Sequence, residues 1–140
     1  MSCSSNIALA KRWFEEVWNQ RRSETIDELL TPESVCRSDA GVLQGPEGFK
    51  ALVHAPLLAA FPDVHVSIEG VIADGDDVVV RWRLTGTHSG PGLGIAPTNL
   101  PVSVTGMTWI RYRDGKMMEG HESWNIGGLM EHLRSSGKQA

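Results

Sequence analysis

Chemically active side chains concentrate in residues 119–125, whose sequence is EGHESWN. Two carboxylates and an imidazole lie within four residues there, and such groups exchange protons with a substrate near neutral pH. Burial of such a carboxylate in an apolar pocket raises its pKa, so that it can take up and return a proton. The segment therefore predicts acid–base catalysis, with Glu122 as the general base and His121 as its acid–base partner or orienting group.

The two faces of a strand decide whether these groups can meet. Glu119, His121 and Ser123 fall on one face of a strand through this segment, and Glu122 and Trp124 fall on the other. A twist or bulge near the strand end would be required to turn His121 and Glu122 toward one cavity. The alternative is a solvated strand end with ordinary charges, and the residue pattern leaves both interpretations open.

Other residues could shape a pocket around this segment. His88 stands where a strand enters a glycine-rich loop, so it could line a pocket mouth or only hydrogen-bond the turn. We interpret Arg81 as an ion-pair partner of Glu119, with an outward-facing charge or an oxyanion donor as alternatives. Trp109 is more typical of a core, whereas the neighbours of Trp124 favour a place in the pocket. The candidate ligand-binding residues are His88, Trp124, Glu119, Trp109, Arg81 and Asn125.

Motifs for metal, nucleotide and nucleophile chemistry are missing from the sequence. A zinc-protease motif that began at His121 would need a helix and a second histidine at the position of Asn125. The glycines of residues 90–94 have the wrong spacing for a dinucleotide fingerprint, and we interpret them as a flexible loop at the pocket mouth. No serine lies in the G-x-S-x-G context of a hydrolase nucleophile. We expect neither a metal nor an organic cofactor.

Periodicity divides the chain into a helical first half and a second half of strands. Apolar spacings of three and four predict helices over residues 7–19, 23–31 and 45–61, the last kinked at Pro56, and a short helix near residues 129–133. Alternation predicts four strands, over residues 64–69, 78–87, 102–113 and 116–124. This order is typical of an α+β fold. We expect the helices to cover one face of a curved antiparallel sheet and to leave a ligand pocket between the layers.

The composition is that of one domain over residues 1–140. Thirteen basic and seventeen acidic residues give a net charge of −4, which argues against a nucleic-acid partner. The two cysteines are too few for a disulfide framework, and neither a secretory signal nor an apolar run of about 20 residues is visible. We therefore expect a soluble cytoplasmic protein with no membrane partner.

Five groups of motifs, in one order, carry a family resemblance. They are WFEEVWN at 13–19 with DELLTP at 27–32, GPEGFK at 45–50, FPD at 61–63, VVVR at 78–81 with GTHSG at 86–90, and DGK at 114–116 with Glu119. Over residues 7–133 the chain resembles SnoaL-like proteins, the family of polyketide and ester cyclases. The resemblance implies the nuclear transport factor two-like fold, a cone-shaped curved antiparallel sheet closed by N-terminal helices and commonly found as a dimer.

The resemblance also implies a chemistry. Known cyclases of this family close a ring by intramolecular aldol chemistry without a metal or organic cofactor, and an Asp acid/base abstracts a proton next to a carbonyl. In the family pattern Glu119 matches a glutamate, His121 takes the place of an aromatic residue and Glu122 takes the place of the acid. Cys36 and Arg37 stand where relatives often carry an Asp-His pair.

These observations predict a cofactor-independent acid–base enzyme that acts on a small, largely apolar carbonyl compound. One alternative is a non-catalytic module for small-ligand binding or dimerisation, because a fold alone does not define a function. Another is an isomerase, dehydratase or epoxide hydrolase on the same fold. A homodimer is expected from the resemblance and from the second face of the sheet, where Val79, Arg83 and Thr85 would otherwise meet water.

Overall fold

The computed structural model describes residues 3–137 as a layer of helices on a six-stranded sheet. The helices are α1 (Cys3–Trp13), α2 (Ser23–Leu29), α3 (Gly45–Phe49), α4 (Ala55–Ala60) and α5 (Ile126–Gly137). The strands are β1 (Leu30–Ser38), β2 (Gly41–Gln44), β3 (His65–Asp74), β4 (Asp77–Thr87), β5 (Pro101–Arg113) and β6 (Lys116–Trp124). No helix within the described residues is long and apolar enough to cross a membrane.

Two of the predicted helices contain a widened π-helical turn. Helix α1 continues as a π-helical segment over Phe14–Asn19, so the predicted helix over residues 7–19 is present with an earlier start. A second π-helical segment, Lys50–His54, joins α3 to α4 just before Pro56. Because proline lacks a backbone N–H, it disturbs the regular helical bonding of the preceding turn. The irregularity predicted at Pro56 therefore takes the form of a widened turn.

The sheet has the strand order β2-β1-β6-β5-β4-β3. The four predicted strands are β3 to β6, and they form the expected antiparallel meander. Strands β1 and β2 were not among the strands predicted from the sequence, and they contain Cys36 and Arg37 as well as residues 41–44. Cys36 and Arg37 lie in β1, which pairs with β6 in parallel, so the expectation of a wholly antiparallel sheet is corrected.

Strand parity assigns the residues of the sheet to its two faces. The even-numbered residues of β4 from Val78 to Leu84 are buried against the helices, as are Ile110 and Tyr112 of β5. The odd-numbered residues of β4 and β5 face outward, and Trp109 is 50% exposed. The α+β fold with a curved sheet closed by helices is thus confirmed, whereas the assignment of Trp109 to the core is wrong because its parity turns it outward.

Candidate active site

A cavity lies between the helices and the inner face of the sheet, with a volume of about 160 Å³. Its walls are mostly apolar and include Phe14, Trp18, Leu57, Trp82, Leu84 and Trp124. The end of β1 and the turn that follows it bring Ser38 and Asp39 to its wall. An engineered apolar cavity of about 150 Å³ in another protein binds benzene, so this cavity can hold one six-membered ring.

Glu122 reaches this cavity from the inner face of β6. It lies directly opposite Thr108 of β5 in the antiparallel pair. Burial raises the pKa of the Glu122 carboxyl from 4.5 to about 7, and a hydrogen bond from the Thr108 side chain opposes that rise. A carboxyl with this pKa is able both to accept and to return a proton at neutral pH.

Two buried polar side chains, Trp82 and Thr108, lead toward the carboxyl. The indole Nε1 of Trp82 donates to Oγ1 of Thr108 at 2.9 Å, and both side chains are buried. An indole N–H can only donate, so the Thr108 oxygen is the acceptor and the hydroxyl proton is free to point at Glu122. Because the Thr108 hydroxyl can then donate toward the carboxyl, this arrangement favours the ionised form of Glu122.

Removal of the Thr108 hydroxyl should raise the pKa of Glu122 further. In Thr108→Val the carboxylate loses a hydrogen bond to a charged group, and we expect its pKa to rise by about one unit or more. An NMR titration of the Glu122 carboxyl carbon measures this change. Thr108→Ser should titrate like the wild type, and so should Thr105→Val, an exposed site on the same strand. An unchanged pKa in Thr108→Val would show that the hydroxyl does not reach Glu122.

A second, smaller cavity of about 40 Å³ lies beyond Glu122, which lines both cavities. Cys36 of β1 and Gly120 of β6 face this inner cavity together with Phe49 and Met117. Burial, together with the nearby charge of Glu122, raises the pKa of the Cys36 thiol to about 12. The thiol is therefore neutral near physiological pH and is not a ready nucleophile.

His121 lies on the opposite face of β6 from Glu122. It is exposed, it pairs across the strands with Trp109, and its Nε2 lies 3.4 Å from Oε1 of Glu119. The twist that would have brought His121 and Glu122 to one cavity is absent, since the regular register of β5 and β6 holds His121 outside. The predicted pairing of the two residues is corrected accordingly.

Arg81, Trp109 and Glu119 do not line the main cavity, and of the three only Glu119 lines the inner cavity. Arg81 and Trp109 are exposed on the outer face, and Trp109 borders a groove there with His121. Glu119 borders that groove and also the inner cavity, next to an irregularity in the pairing of β5 and β6. Its carboxylate is paired with Arg37 at 2.8 Å, so the expected ion pair with Arg81 is wrong.

His88, Trp124 and Asn125 have three different placements. Trp124 lies on the wall of the main cavity, whereas neither cavity is lined by His88. The ring of His88 is fully buried, and its Nδ1 accepts a hydrogen bond from the backbone N–H of Thr98 at 3.2 Å. Asn125 accepts a hydrogen bond from the backbone N–H of Gly128 in the first turn of α5. His88 therefore braces the glycine-rich loop, and Asn125 supports a helix start.

Several residues around Glu122 were not predicted from the sequence. Trp18, Thr108 and Cys36 line one or other of the two cavities but were not candidates. Of these, only Thr108 could have been recognised from the sequence. It is a polar residue that shares the buried face of β5 with Gly106 and Ile110. Within the part of the chain that the structure describes, no group of three His, Cys, Asp or Glu side chains could hold a metal ion.

The curved sheet, the helices that close it and the Glu122 carboxyl in a mostly apolar cavity are typical of α+β proteins whose pockets take small ligands. A family model described as SnoaL-like polyketide cyclase matches residues 8–133, and the chain belongs to this family. No curated protein sequence matches the chain.

Solved structures agree with the family. A protein of Jannaschia sp. CCS1, provisionally named a SnoaL-like polyketide cyclase, is 29% identical, with 93% of this chain and 92% of that one covered and a TM-score of 0.85. AclR of Streptomyces galilaeus, provisionally named a hydroxylase, is 27% identical, with 96% and 83% covered and a TM-score of 0.83. A Catenulispora acidiphila protein with a ketosteroid isomerase-like fold is 18% identical, with 84% and 85% covered and a TM-score of 0.70, which shows the fold alone.

Proposed function

We propose that this protein is a cofactor-independent acid–base enzyme of the SnoaL-like polyketide cyclase class. Glu122 removes a proton from the carbon next to a carbonyl in a small, largely apolar compound. The observation that carries the proposal is the position of Glu122 in the apolar cavity, where its pKa is about 7. A base with this pKa is half ionised near neutral pH and can work in both directions of a proton transfer.

The proposed reaction returns the protein to its starting state. The Glu122 carboxylate takes the proton as the C–H bond breaks, and the electron pair of that bond passes into an enolate. In a ring closure the enolate carbon forms a C–C bond with a second carbonyl of the same molecule, whose oxygen becomes an alkoxide. The Glu122 carboxylic acid then gives its proton to this alkoxide. Trp82 and Thr108 hold the carboxylate in place throughout.

The first half of this reaction can be tested without the natural substrate. Phenylacetone has one ring and an acidic CH₂ next to a carbonyl, and its exchange of that hydrogen for deuterium in heavy water is measured by proton NMR. We expect the wild type to accelerate exchange above the buffer rate and Glu122→Gln to lose the acceleration. Equal rates in the two proteins would contradict the proposal, and binding without exchange would favour a non-catalytic binding module.

We also propose that two copies associate through the outer face of the sheet and that the protein works in the cytoplasm. Ile72, Met107 and Trp109 lie on this face and are 70%, 52% and 50% exposed. Large apolar side chains that are exposed together favour a protein partner. The net charge of −4 supports the absence of a nucleic-acid partner, and two free cysteines, Cys3 and Cys36, suit a reducing compartment.

The dimer can be tested by sedimentation at micromolar concentration. The wild type should sediment as a dimer, and Trp109→Asp should weaken association by about tenfold or more, because buried tryptophans dominate many interfaces. Leu52→Asp is the control, since Leu52 is 65% exposed but lies on the helical side of the molecule. A monomeric wild type would refute the dimer.

A further inference from the structure

We propose that the inner cavity is a substrate subsite for a short, uncharged alkyl group, which lies beyond the carbonyl that adjoins the carbon losing its proton. The inference rests on the proposed function of Glu122 and adds the shape of the substrate. Glu122 lines both cavities, so a molecule that places its reactive carbon at the carboxylate has room on either side.

The two cavities differ in the size of the group that each can hold. The main cavity of about 160 Å³ takes a ring, whereas the inner cavity measures about 40 Å³. A single water needs roughly 10–15 Å³ on this scale and benzene about 150 Å³. The inner cavity therefore fits a group of about two carbons but not a second ring.

The walls of the inner cavity select an uncharged group. Trp13, Phe49, Ile110 and Met117 are buried and apolar, and the Cys36 thiol is neutral. The Glu119 carboxylate also lines this cavity, but it is already paired with Arg37. The buried hydroxyl of Ser34 is already engaged, because it donates to the carbonyl of Met117 at 2.6 Å and accepts from the N–H of Thr31 at 2.9 Å.

Charged arms are disfavoured for two separate reasons. A carboxylate arm would lie near Glu122 without a compensating charge, because no Lys or Arg among the described residues lines this cavity and Arg37 is already paired with Glu119. An ammonium arm would pair with Glu122 and occupy the base. The substrate class that remains is a one-ring compound whose reactive CH₂ is flanked by the ring on one side and a short alkyl ketone on the other.

Gly120 offers a variant that narrows only the inner cavity. A Cβ added there would meet the Cys36 sulfur at 3.8 Å, an ordinary contact, and the backbone of Gly120 does not require glycine. Gly120→Ala therefore adds one methyl group to the cavity without strain. Cys36→Ala has the opposite effect, because it removes the sulfur. Gly48→Ala is the matched control, since a Cβ on Gly48 would meet nothing within 4 Å.

The test compares the dissociation constants of phenylacetone and benzyl ethyl ketone by calorimetry. These ketones differ by one CH₂ in the alkyl arm, and burial of that group should make the ethyl ketone bind the wild type about fourfold more tightly. Gly120→Ala should abolish or reverse the preference, and Gly48→Ala should preserve it. Cys36→Ala should keep the preference and extend it to benzyl propyl ketone.

Two results would overturn the subsite. One is the same ratio of affinities in Gly120→Ala and the wild type, and the other is failure of both ketones to bind the wild type. The binding measurement does not depend on catalysis. Selective binding without deuterium exchange would therefore count against the proposed function and leave the subsite standing.

Discussion

Glu122→Gln should lose proton-exchange activity and yet resist unfolding better than the wild type at alkaline pH. The glutamine amide keeps the shape of the side chain but cannot accept a proton from carbon. A single acid–base group typically contributes about 10²–10⁴-fold to a rate, and the loss should be of that size. Burial of the Glu122 carboxyl makes it a useful base, and the same burial explains why its replacement by glutamine should stabilise the fold.

The sign of the stability change follows from the raised pKa of Glu122. Between the unfolded value of 4.5 and the folded value of about 7, the folded protein binds more protons than the unfolded chain. Wild-type stability therefore falls as the pH rises through this window, and the loss persists above it. The difference corresponds to at most about 3 kcal/mol, because the carboxyl borders a cavity that solvent can reach. Glutamine carries no charge and escapes this penalty.

Urea unfolding at about pH 9 and about pH 5 measures the effect as a free energy of unfolding. The gain from Glu122→Gln should be large at the higher pH and small at the lower. Both proteins contain the buried His54 and His88, whose pKa values are lowered by burial, so their contribution cancels in the difference. Glu33→Gln, at an exposed site, should show no such gain. Equal gains at both pH values would contradict the buried-carboxylate explanation.

Strand parity explains which parts of the site could be predicted from the sequence. Glu122 and Trp124 alternate with polar residues, and the structure places both on the wall of the main cavity. The same alternation places His121 outside, and the predicted twist does not occur because β5 and β6 keep their register at this point. The residue type of Glu122 was enough to suggest its role as a base. For His121 the residue type was misleading, because the strand face that it occupies keeps it outside the cavity.

The missed strand shows where local patterns stop being informative. Residues 31–38 read TPESVCRS, with no clear alternation, because polar residues occupy both faces. This strand is held instead by backbone pairing with β6, and the hydroxyl of Ser34 is buried through its bond to Met117, which lies 83 residues away. Cys36 reaches the inner cavity through that pairing, so its place beside Glu122 depends on long-range contacts.

Thr108 is an intermediate case. The alternation in β5 shows that Thr108 is on the buried face, but its role depends on Trp82, a residue of the neighbouring strand. Alternation gives the face of a residue, whereas the partner of a hydrogen bond depends on strand register and on the rotamers of both side chains. The cavity could therefore be predicted, but the pairing of Trp82 with Thr108 beside Glu122 could not.

Gly90→Ala should be the most damaging small substitution in the glycine-rich loop. A Cβ at this position would lie 1.9 Å from the backbone oxygen of Ala59, an impossible contact, so either the loop or the end of α4 must move. The backbone N–H of Gly90 also donates to the carbonyl of Ala60 at 3.2 Å. We expect a loss of about 3 kcal/mol in the free energy of unfolding, at the upper end for an overpacked site.

Gly94→Ala separates close approach from backbone conformation within the same loop. Gly94 has a φ of +70°, and a Cβ there would meet nothing within 4 Å, so its replacement should cost only about 1 kcal/mol. Urea unfolding of both variants measures the difference, and equal losses would refute the role of close approach at Gly90.

Because the same loop places Leu93 at the main cavity, Gly90→Ala should also weaken phenylacetone binding more than Gly94→Ala does. The loop that the sequence suggested to be flexible is then a packed wall of the cavity, and Gly90 and Gly92 allow its backbone to lie against α4.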